Sequence, residues 1–397
     1  MTPVLMIALL YPPDPYSGAA RPHRLAKYLQ RHGYPVDVIA GGNESRCVIA
    51  DNVYRMKAAY PTLPKRYRPV VERAARLTVL PCDCGITWVP RVIRVANRWR
   101  NESRLLISTS PPLTTHLAAL WAKKKFGWPW IADFRDPLVG NPFRPERTRK
   151  VDEHLERLFF QNADAVIANT DSLARLWRAR YPEWAEKIET LWNGFDPEDG
   201  IQGAPIPSRP YRVYRHVGAI YGDRHPDLLL NSLHRLIGSR QIDGSAFRME
   251  MIGSCDASML SAARQASWFR CDGVEVPKAE ADRLAAESDG LILLDVTKSD
   301  AALQLPGKIF DYLRIGRPIL ACTVPGSPVD RVLGQSGIPC VCLYPQDAPD
   351  EIDRKVLHYL GLPSDSVAPS EWFQRNFNAV AQAERLAALI EKVRSRV

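Results

Sequence analysis

The densest run of chemistry-bearing residues in this chain is Leu305-Pro306-Gly307-Lys308-Ile309-Phe310-Asp311-Tyr312-Leu313-Arg314-Ile315-Gly316-Arg317-Pro318. Pro306-Gly307 opens a predicted helix directly after an apolar strand. Unpaired backbone N–H groups at such a start attract phosphate, and a glycine lets it come close. Lys308 adds a mobile cation beside them, and Asp311 follows at i+3 on the same helix face. The plain alternative is an ordinary helix with a surface Lys308–Asp311 pair. A second cluster, Asp133, Arg135 and Asp136, follows the apolar stretch Trp130–Phe134, where a strand would deliver its carboxyl end. There Asp136, or Asp133, can orient a hydroxyl or act as base. Arg135 can contact an anion but is a poor proton shuttle, because it stays charged. The alternative is a structural Asp–Arg network. Ser17-Gly18 ends a proline-rich loop and offers backbone N–H groups, or simply a turn and helix cap.

Other constellations carry less. Cys82-Asp83-Cys84 and Cys340-Val341-Cys342 lack companion ligands at zinc spacing. No Asp-x-Asp motif lies beside a nucleotide-like segment, and Walker and Gly-x-Ser-x-Gly motifs are absent. No metal is expected. His116, on a predicted helix, and His216, in a predicted strand, read as structural. Trp88, Trp121, Trp128 and Trp130 read as core.

The elements that must position these residues alternate. Val4–Tyr11 is an apolar run, followed by the loop Pro12–Gly18, a helix Ala19–Arg31 stopped by Gly33, and a strand Val36–Ala40. Strand-then-helix pairs recur at Leu105–Ser108 and Leu113–Phe126, Trp130–Phe134 and Val151–Phe160, and Ala165–Ala168 and Ser172–Ala179, with Ile188–Trp192 closing the series. After a Pro/Gly-rich stretch to Pro210, a second series runs through strands Val213–Val217, Met249–Ile252, Val274–Val276, Leu291–Val296, Ile319–Thr323 and Cys340–Leu343. Helices are expected between them at Pro226–Ile237, Ala257–Ser267, Lys278–Ser288 and Gly307–Ile315. A long helix over Glu371–Arg394 ends the chain. The pattern predicts an α/β protein of two Rossmann-like domains facing a cleft, with ligands beyond the carboxyl ends of parallel strands. The expected division is 1–195, 196–370 and a C-terminal helix 371–397 that crosses back.

The chain has 397 residues, 46% of them hydrophobic and 24% charged, which argues against disorder and a coiled coil. No apolar run reaches the roughly 20 residues of a membrane span. Met1–Leu10 lacks a basic start and a cleavage site, so it reads as a buried strand. Eight cysteines are too sparse for a disulfide framework, which favours a reducing, cytoplasmic setting. Residues 1–193 hold 30 Lys+Arg against 18 Asp+Glu, and the remainder 23 against 26, so the net +9 arises in the first half. Such one-sided charge suggests an anionic partner. The insert 55–104 carries Lys65, Arg66, Arg68, Arg73, Arg76, Arg91, Arg94, Arg98, Arg100 and Arg104. In 91–100, Val92, Val95 and Trp99 share one helical face, as in a helix lying on an anionic bilayer or in one packed on its own domain. Nucleic acid is the least supported partner, because no groove-reading or base-stacking motif accompanies the charge.

Segment 305–320 resembles the nucleotide-binding segment of bacterial GT-B glycosyltransferases, especially glycosyltransferase family 4. Ordered fragments elsewhere resemble the same family: Tyr11-Pro12-Pro13 through Ser17-Gly18, Arg21 and His32-Gly33; Trp130–Pro137; Ala163–Thr170; Asn193-Gly194-Phe195-Asp196; and His216-Val217-Gly218-Ala219-Ile220-Tyr221-Gly222-Asp223-Arg224. Together they span nearly the whole chain apart from roughly 45–100.

The resemblance implies a GT-B fold and a nucleoside-diphosphate-sugar donor held mainly by the C-terminal domain. It also implies an acceptor held mainly by the N-terminal domain, and retaining transfer without metal or other cofactor. A departing diphosphate must then be stabilised by fixed cations. Arg224 and Lys308 are the candidates, with Gly307 and, across the cleft, Gly18 and Ser17 supplying N–H groups. Asp311 stands where the family usually has a ribose-binding glutamate. The other acidic position of that motif, eight residues earlier, is Leu303 here, which departs from the family's contact to the donor sugar. Arg135 stands where many members have histidine. The implied partners are a nucleoside-diphosphate sugar, a glycan or polyprenyl-linked acceptor and an anionic membrane surface. The implied role is peripheral, on the inner face of the cytoplasmic membrane, in surface-glycan synthesis. The competing readings are a nucleotide-sugar epimerase on the same fold and a non-catalytic sugar-nucleotide or polysaccharide-binding subunit.

Overall fold

Buried apolar runs alternating with amphipathic segments fold into two parallel sheets. The computed structural model describes residues 1–14, 17–42, 46–58, 88–141, 144, 146–220, 222, 224–297 and 303–396. Two compact units result, Met1–Asp196 with Asn378–Val397, and Pro197–Phe377.

The first unit holds β1 (Val4–Ala8), β2 (Val36–Gly42), β3 (Val48–Ala50), β4 (Val53–Lys57), β5 (Leu105–Ser110), β6 (Trp130–Phe134), β7 (Ala165–Ala168) and β8 (Ile188–Thr190). They pair in the order β3-β4-β2-β1-β5-β6-β7-β8, parallel except for the β3–β4 hairpin. Every residue of β1, β5 and β6 is buried, as expected for strands covered on both faces; β1 is wholly apolar, while β5 and β6 carry buried Ser108, Thr109, Ser110 and Asp133 toward their carboxyl ends. Helix Ala20–Arg31 packs Leu25, Ala26 and Leu29 against Val4 and Met6. Leu386, Ile390 and Val393 of helix Ala379–Arg394 join the same core, so the chain's last helix completes the first unit.

The second unit holds β9 (Arg212–Val217), β10 (Phe247–Ile252), β11 (Phe269–Cys271), β12 (Gly290–Leu294), β13 (Ile319–Cys322) and β14 (Cys340–Leu343). All are parallel, in the order β11-β10-β9-β12-β13-β14. The strand order reverses between β9 and β12, and the connections leaving their carboxyl ends diverge there, which is where such sheets take ligands.

Several expectations need correction. The third strand of the second unit is Phe269–Cys271, where Phe269 and Cys271 point inward and Arg270 outward; Val274 is exposed. The C-terminal helix is interrupted. Asn378 is extended (φ −68°, ψ 130°), and its side chain accepts the Val380 N–H at 2.9 Å, capping a new helix. The β3–β4 hairpin and helices Pro328–Gln335 and Pro349–Gly361 complete elements that the periodicity did not mark. Helix Val89–Ala96 buries Val92, Ile93, Val95 and Ala96, with Trp99 just beyond, inside the first unit, so this apolar face is not offered to a bilayer. Arg91 and Arg94 of this helix, and Arg98 just beyond it, are exposed. Trp121 is exposed rather than core, with the Lys125 ammonium 5.5 Å from its ring. The basic residues from Lys65 to Arg76, and Cys82 and Cys84, lie outside the described residues.

Candidate functional site

In the second unit the carboxyl end of β9 runs into Gly218, whose N–H donates to Ile252 O at 2.7 Å. Ile220 N–H donates to Ser254 O at 2.8 Å, so the loop follows the end of β10 closely. The approach needs glycine on both sides. A Cβ on Gly253 (φ +131°) would meet the Gly218 carbonyl at 2.7 Å, and one on Gly218 (φ +128°) would meet Lys308 Nζ at 2.5 Å.

Lys308 begins helix Lys308–Ile315, which Gly316 stops in the left-handed conformation. Buried Tyr312 fixes this helix to β9, its hydroxyl accepting the Val217 N–H at 2.8 Å. One turn earlier, Lys308 Nζ lies 3.0 Å from His216 Nε2. Burial pulls Lys308 down to about 7, with the nearby Arg224 guanidinium adding to the effect. His216 is 1% exposed. Burial, then Lys308, hold it well below 6.5, against smaller opposing effects from the Ile292 and Gly218 backbone. The ring is therefore neutral, and its Nδ1 lies 2.9 Å from Ile292 O, which can only accept. The single ring hydrogen is on Nδ1, and the Nε2 lone pair accepts from the Lys308 ammonium.

The Arg224 charge also reaches Asp295, just past β12. Asp295 accepts from Thr323 Oγ1 at 2.9 Å, and burial raises its carboxyl to about 6. Lys308, His216, Gly218 and Asp295 thus lie at the carboxyl ends of β9 and β12, within electrostatic reach of Arg224. Gly307 is exposed at the start of the Lys308 helix, and among the described residues nothing beyond the adjoining chain comes within 4 Å of where a Cβ would stand.

Asp311 and Lys308 do not pair. The lysine turns to His216, while the Asp311 carboxylate lies 3.5 Å from Lys278 Nζ, which also binds Asp282 at 2.9 Å. Burial raises Asp311, and Lys278 partly offsets this.

The first unit arranges its residues differently. Asp133 is fully buried at the end of β6 and accepts from Arg21 Nε at 2.9 Å and Nη2 at 2.7 Å. Arg21 also donates to Leu191 O and Trp192 O at 2.8 and 2.7 Å, tying helix Ala20–Arg31 to the chain leaving β8. Lys27 and Tyr28 of that helix bind Asp196, at 2.7 and 2.6 Å. Arg135 donates to Gly18 O at 2.7 Å, to Ser110 O at 3.1 Å and to Pro111 O. A Cβ on Gly18 would stand 2.7 Å from Arg135 Nη1. Arg135 therefore holds the Ser17-Gly18 turn in place, and Asp133 holds a helix.

Burial lowers Arg135, and the partly exposed Asp136 lies near enough to offset part of that. The loop after it is anchored by buried Glu156, whose Oε2 accepts the Leu138 and Val139 N–H groups at 3.2 Å while its Oε1 accepts from Tyr181 at 2.9 Å. His116 is a core residue, its Nδ1 2.7 Å from Ser108 Oγ.

Sequence reasoning missed His216 and Asp295 as members of the second-unit site. The signal was a polar residue at the end of a buried strand, two positions before a glycine in one case and directly after an all-apolar strand in the other. Among the described residues no group of three His, Cys, Asp or Glu is arranged to hold a metal, and no helix is long and apolar enough to cross a membrane.

Residues 18–194 match the family described as glycosyl transferase 4-like domain. No curated protein sequence matches the chain. Similar solved structures include a sucrose-phosphate synthase from Thermosynechococcus elongatus, with 12% identity, TM-score 0.69 and full coverage of both chains. The lipopolysaccharide outer core galactosyltransferase WaaB has 13% identity and TM-score 0.63, covering 99% of this chain and 100% of that one. HepE from Anabaena, solved with UDP-glucose, has 12% identity and TM-score 0.59, also covering 99% and 100%. At these identities the likeness is one of fold.

Proposed function

From the premise that this chain has the GT-B fold, with a glycosyl transferase 4-like domain over residues 18–194, we propose that it is a metal-independent retaining glycosyltransferase. It moves a sugar from a nucleoside-diphosphate-sugar donor to a lipid-linked or other polysaccharide precursor in bacterial surface-glycan synthesis. The observation that carries the reading is Lys308, seated against Gly218 beside Arg224 at the carboxyl ends of β9 and β12. A diphosphate there meets two cations, and breaking the glycosidic bond places charge on the β-phosphate oxygen that they face. The N–H groups at the start of the Lys308 helix add partial positive charge. Asp311 accepts from the ribose hydroxyls, displacing its contact with Lys278.

In the first unit, Asp136 orients the acceptor hydroxyl, and the Ser17-Gly18 turn presents its N–H groups. Asp133 and Arg135 support that unit's site by position. The protein works in the cytoplasm on the inner face of the membrane, drawn there by the basic charge of its first half. The uridine nucleotides bound by HepE make UDP-sugars the first donors to test.

Release of nucleoside diphosphate is measured across UDP-, GDP-, ADP- and dTDP-sugars, with and without polyprenyl-diphosphate sugars, and products are identified by mass spectrometry. Acceptor-dependent release with the anomeric configuration retained supports the reading. An epimerised donor sugar formed without acceptor, or no nucleotide binding at all, refutes it.

A further inference from the structure

His216 lies beneath the proposed diphosphate site and is almost wholly buried. Its two ring nitrogens have separate partners. Nδ1 donates to Ile292 O of β12, which fixes the tautomer, and Nε2 faces Lys308 Nζ at 3.0 Å. The strand that carries His216 is itself tied to the lysine's helix through Val217 N–H and Tyr312 Oη. An alkyl-ammonium side chain has four rotatable bonds and settles only where something accepts from it. Among the described residues the imidazole is the one hydrogen-bond acceptor that holds Lys308. That acceptor is neutral. A carboxylate in its place would neutralise the ammonium and compete with an incoming phosphate, whereas an imidazole lone pair orients the charge and leaves it uncompensated.

Resting on the diphosphate reading above, we propose that His216 is a positioning residue for the transfer reaction: its Nε2 lone pair holds the Lys308 ammonium against Gly218, aimed at the departing diphosphate. His216 does not touch substrate. It acts through Lys308, and the Ile292 carbonyl acts through it by keeping the hydrogen on Nδ1. The sheet thus sets the lysine from the reversal point itself, since His216 belongs to β9 and Ile292 to β12.

The test is a double-mutant cycle on the full chain, titrating inorganic pyrophosphate by calorimetry at constant pH and salt. Lys308→Ala is expected to weaken binding at least tenfold and His216→Leu about tenfold. The double variant should be no weaker than Lys308→Ala alone, because the second change removes a partner already without function. His216→Gln places an oxygen acceptor close to the position of Nε2 and is expected to bind within about threefold of the parent. If His216→Leu does not fold, His216→Asn replaces it in the cycle, keeping a polar group near Nδ1 with nothing at Nε2.

Losses that multiply in the double variant, or His216→Leu binding like the parent while Lys308→Ala is weakened, overturn the positioning role and leave the diphosphate site standing. Unchanged affinity in Lys308→Ala overturns the diphosphate site and the positioning role with it.

Discussion

On the proposed diphosphate reading, the lowered proton affinity of Lys308 should make nucleotide binding a proton-uptake reaction. A fall from 10.5 to about 7, at 1.36 kcal/mol per factor of ten, makes the ammonium about 5 kcal/mol more costly in this pocket than in water. Burial is the larger cause and Arg224 the smaller. A bound diphosphate supplies the missing negative charge, so the complex holds Lys308 protonated. At pH 8 most free molecules therefore lack that proton, and binding should draw in the larger part of one proton. Terminal phosphates, with a second pKa of about 6, are already ionised at pH 8 and do not confuse the count. Titration of whichever of UDP, GDP, ADP and dTDP binds, in two buffers of different ionisation enthalpy, measures this directly. In Lys308→Arg the cation is permanent, and the uptake is expected to vanish while binding persists. No uptake at pH 8 in the parent, or equal uptake in Lys308→Arg, would show that Lys308 is not the buried, reprotonated cation described above.

Four further outcomes are expected. Lys308→Met should raise the melting temperature most below pH 7, with the gain shrinking towards pH 10. Folded Lys308 gives up its proton near 7 and the unfolded chain near 10.5, so across that window the unfolded chain binds more protons and stability rises with pH. Asp295→Asn should stabilise at pH 8 by up to roughly 3 kcal/mol and hardly at all at pH 4, because a carboxyl raised to about 6 burdens the fold only where it is ionised; urea unfolding at the two pH values measures this. Arg21→Ala strands the fully buried Asp133 and should cost about 3–5 kcal/mol in denaturant unfolding, far more than removal of an exposed arginine such as Arg94. Co-sedimentation with vesicles containing anionic lipid, but not with neutral ones, should be strong at low salt and fade as ionic strength screens the basic first half; equal binding to neutral vesicles would refute the electrostatic docking.

The alternation behind the parallel sheets was legible because strands buried on both faces, such as Val4–Ala8 and Gly290–Leu294, are nearly unbroken apolar runs. Boundaries failed where a capping residue, not periodicity, decided them. Asn378 divides one long amphipathic pattern into two helices, and Ser327 starts helix Pro328–Gln335 by accepting the Asp330 N–H at 3.0 Å. The candidate site was legible only as cations and glycines near predicted strand ends. Which cations are committed to holding the fold was not, because that depends on contacts far apart in sequence. Arg21 reaches Asp133, 112 positions away, and Arg135 reaches Gly18 at a separation of 117. Lys308 and His216 are 92 positions apart, and only the strand order brings their elements together.

The partners of three cations, one buried and two half-buried, separate holding the fold from the proposed ligand binding. Arg21 is compensated by a carboxylate and two carbonyls, so removing it leaves a charge behind. Arg135 satisfies three carbonyls of a loop and is needed wherever that loop must sit. Lys308 faces a neutral imidazole with a second cation nearby, an arrangement that lowers stability near neutral pH and that packing alone does not require. On the proposed reading an incoming anion offsets that deficit, since its charge favours the protonated lysine. Filling the lysine's place with an apolar side chain should therefore stabilise the empty protein and remove its response to nucleoside diphosphate. For Arg21 the same exchange should only destabilise.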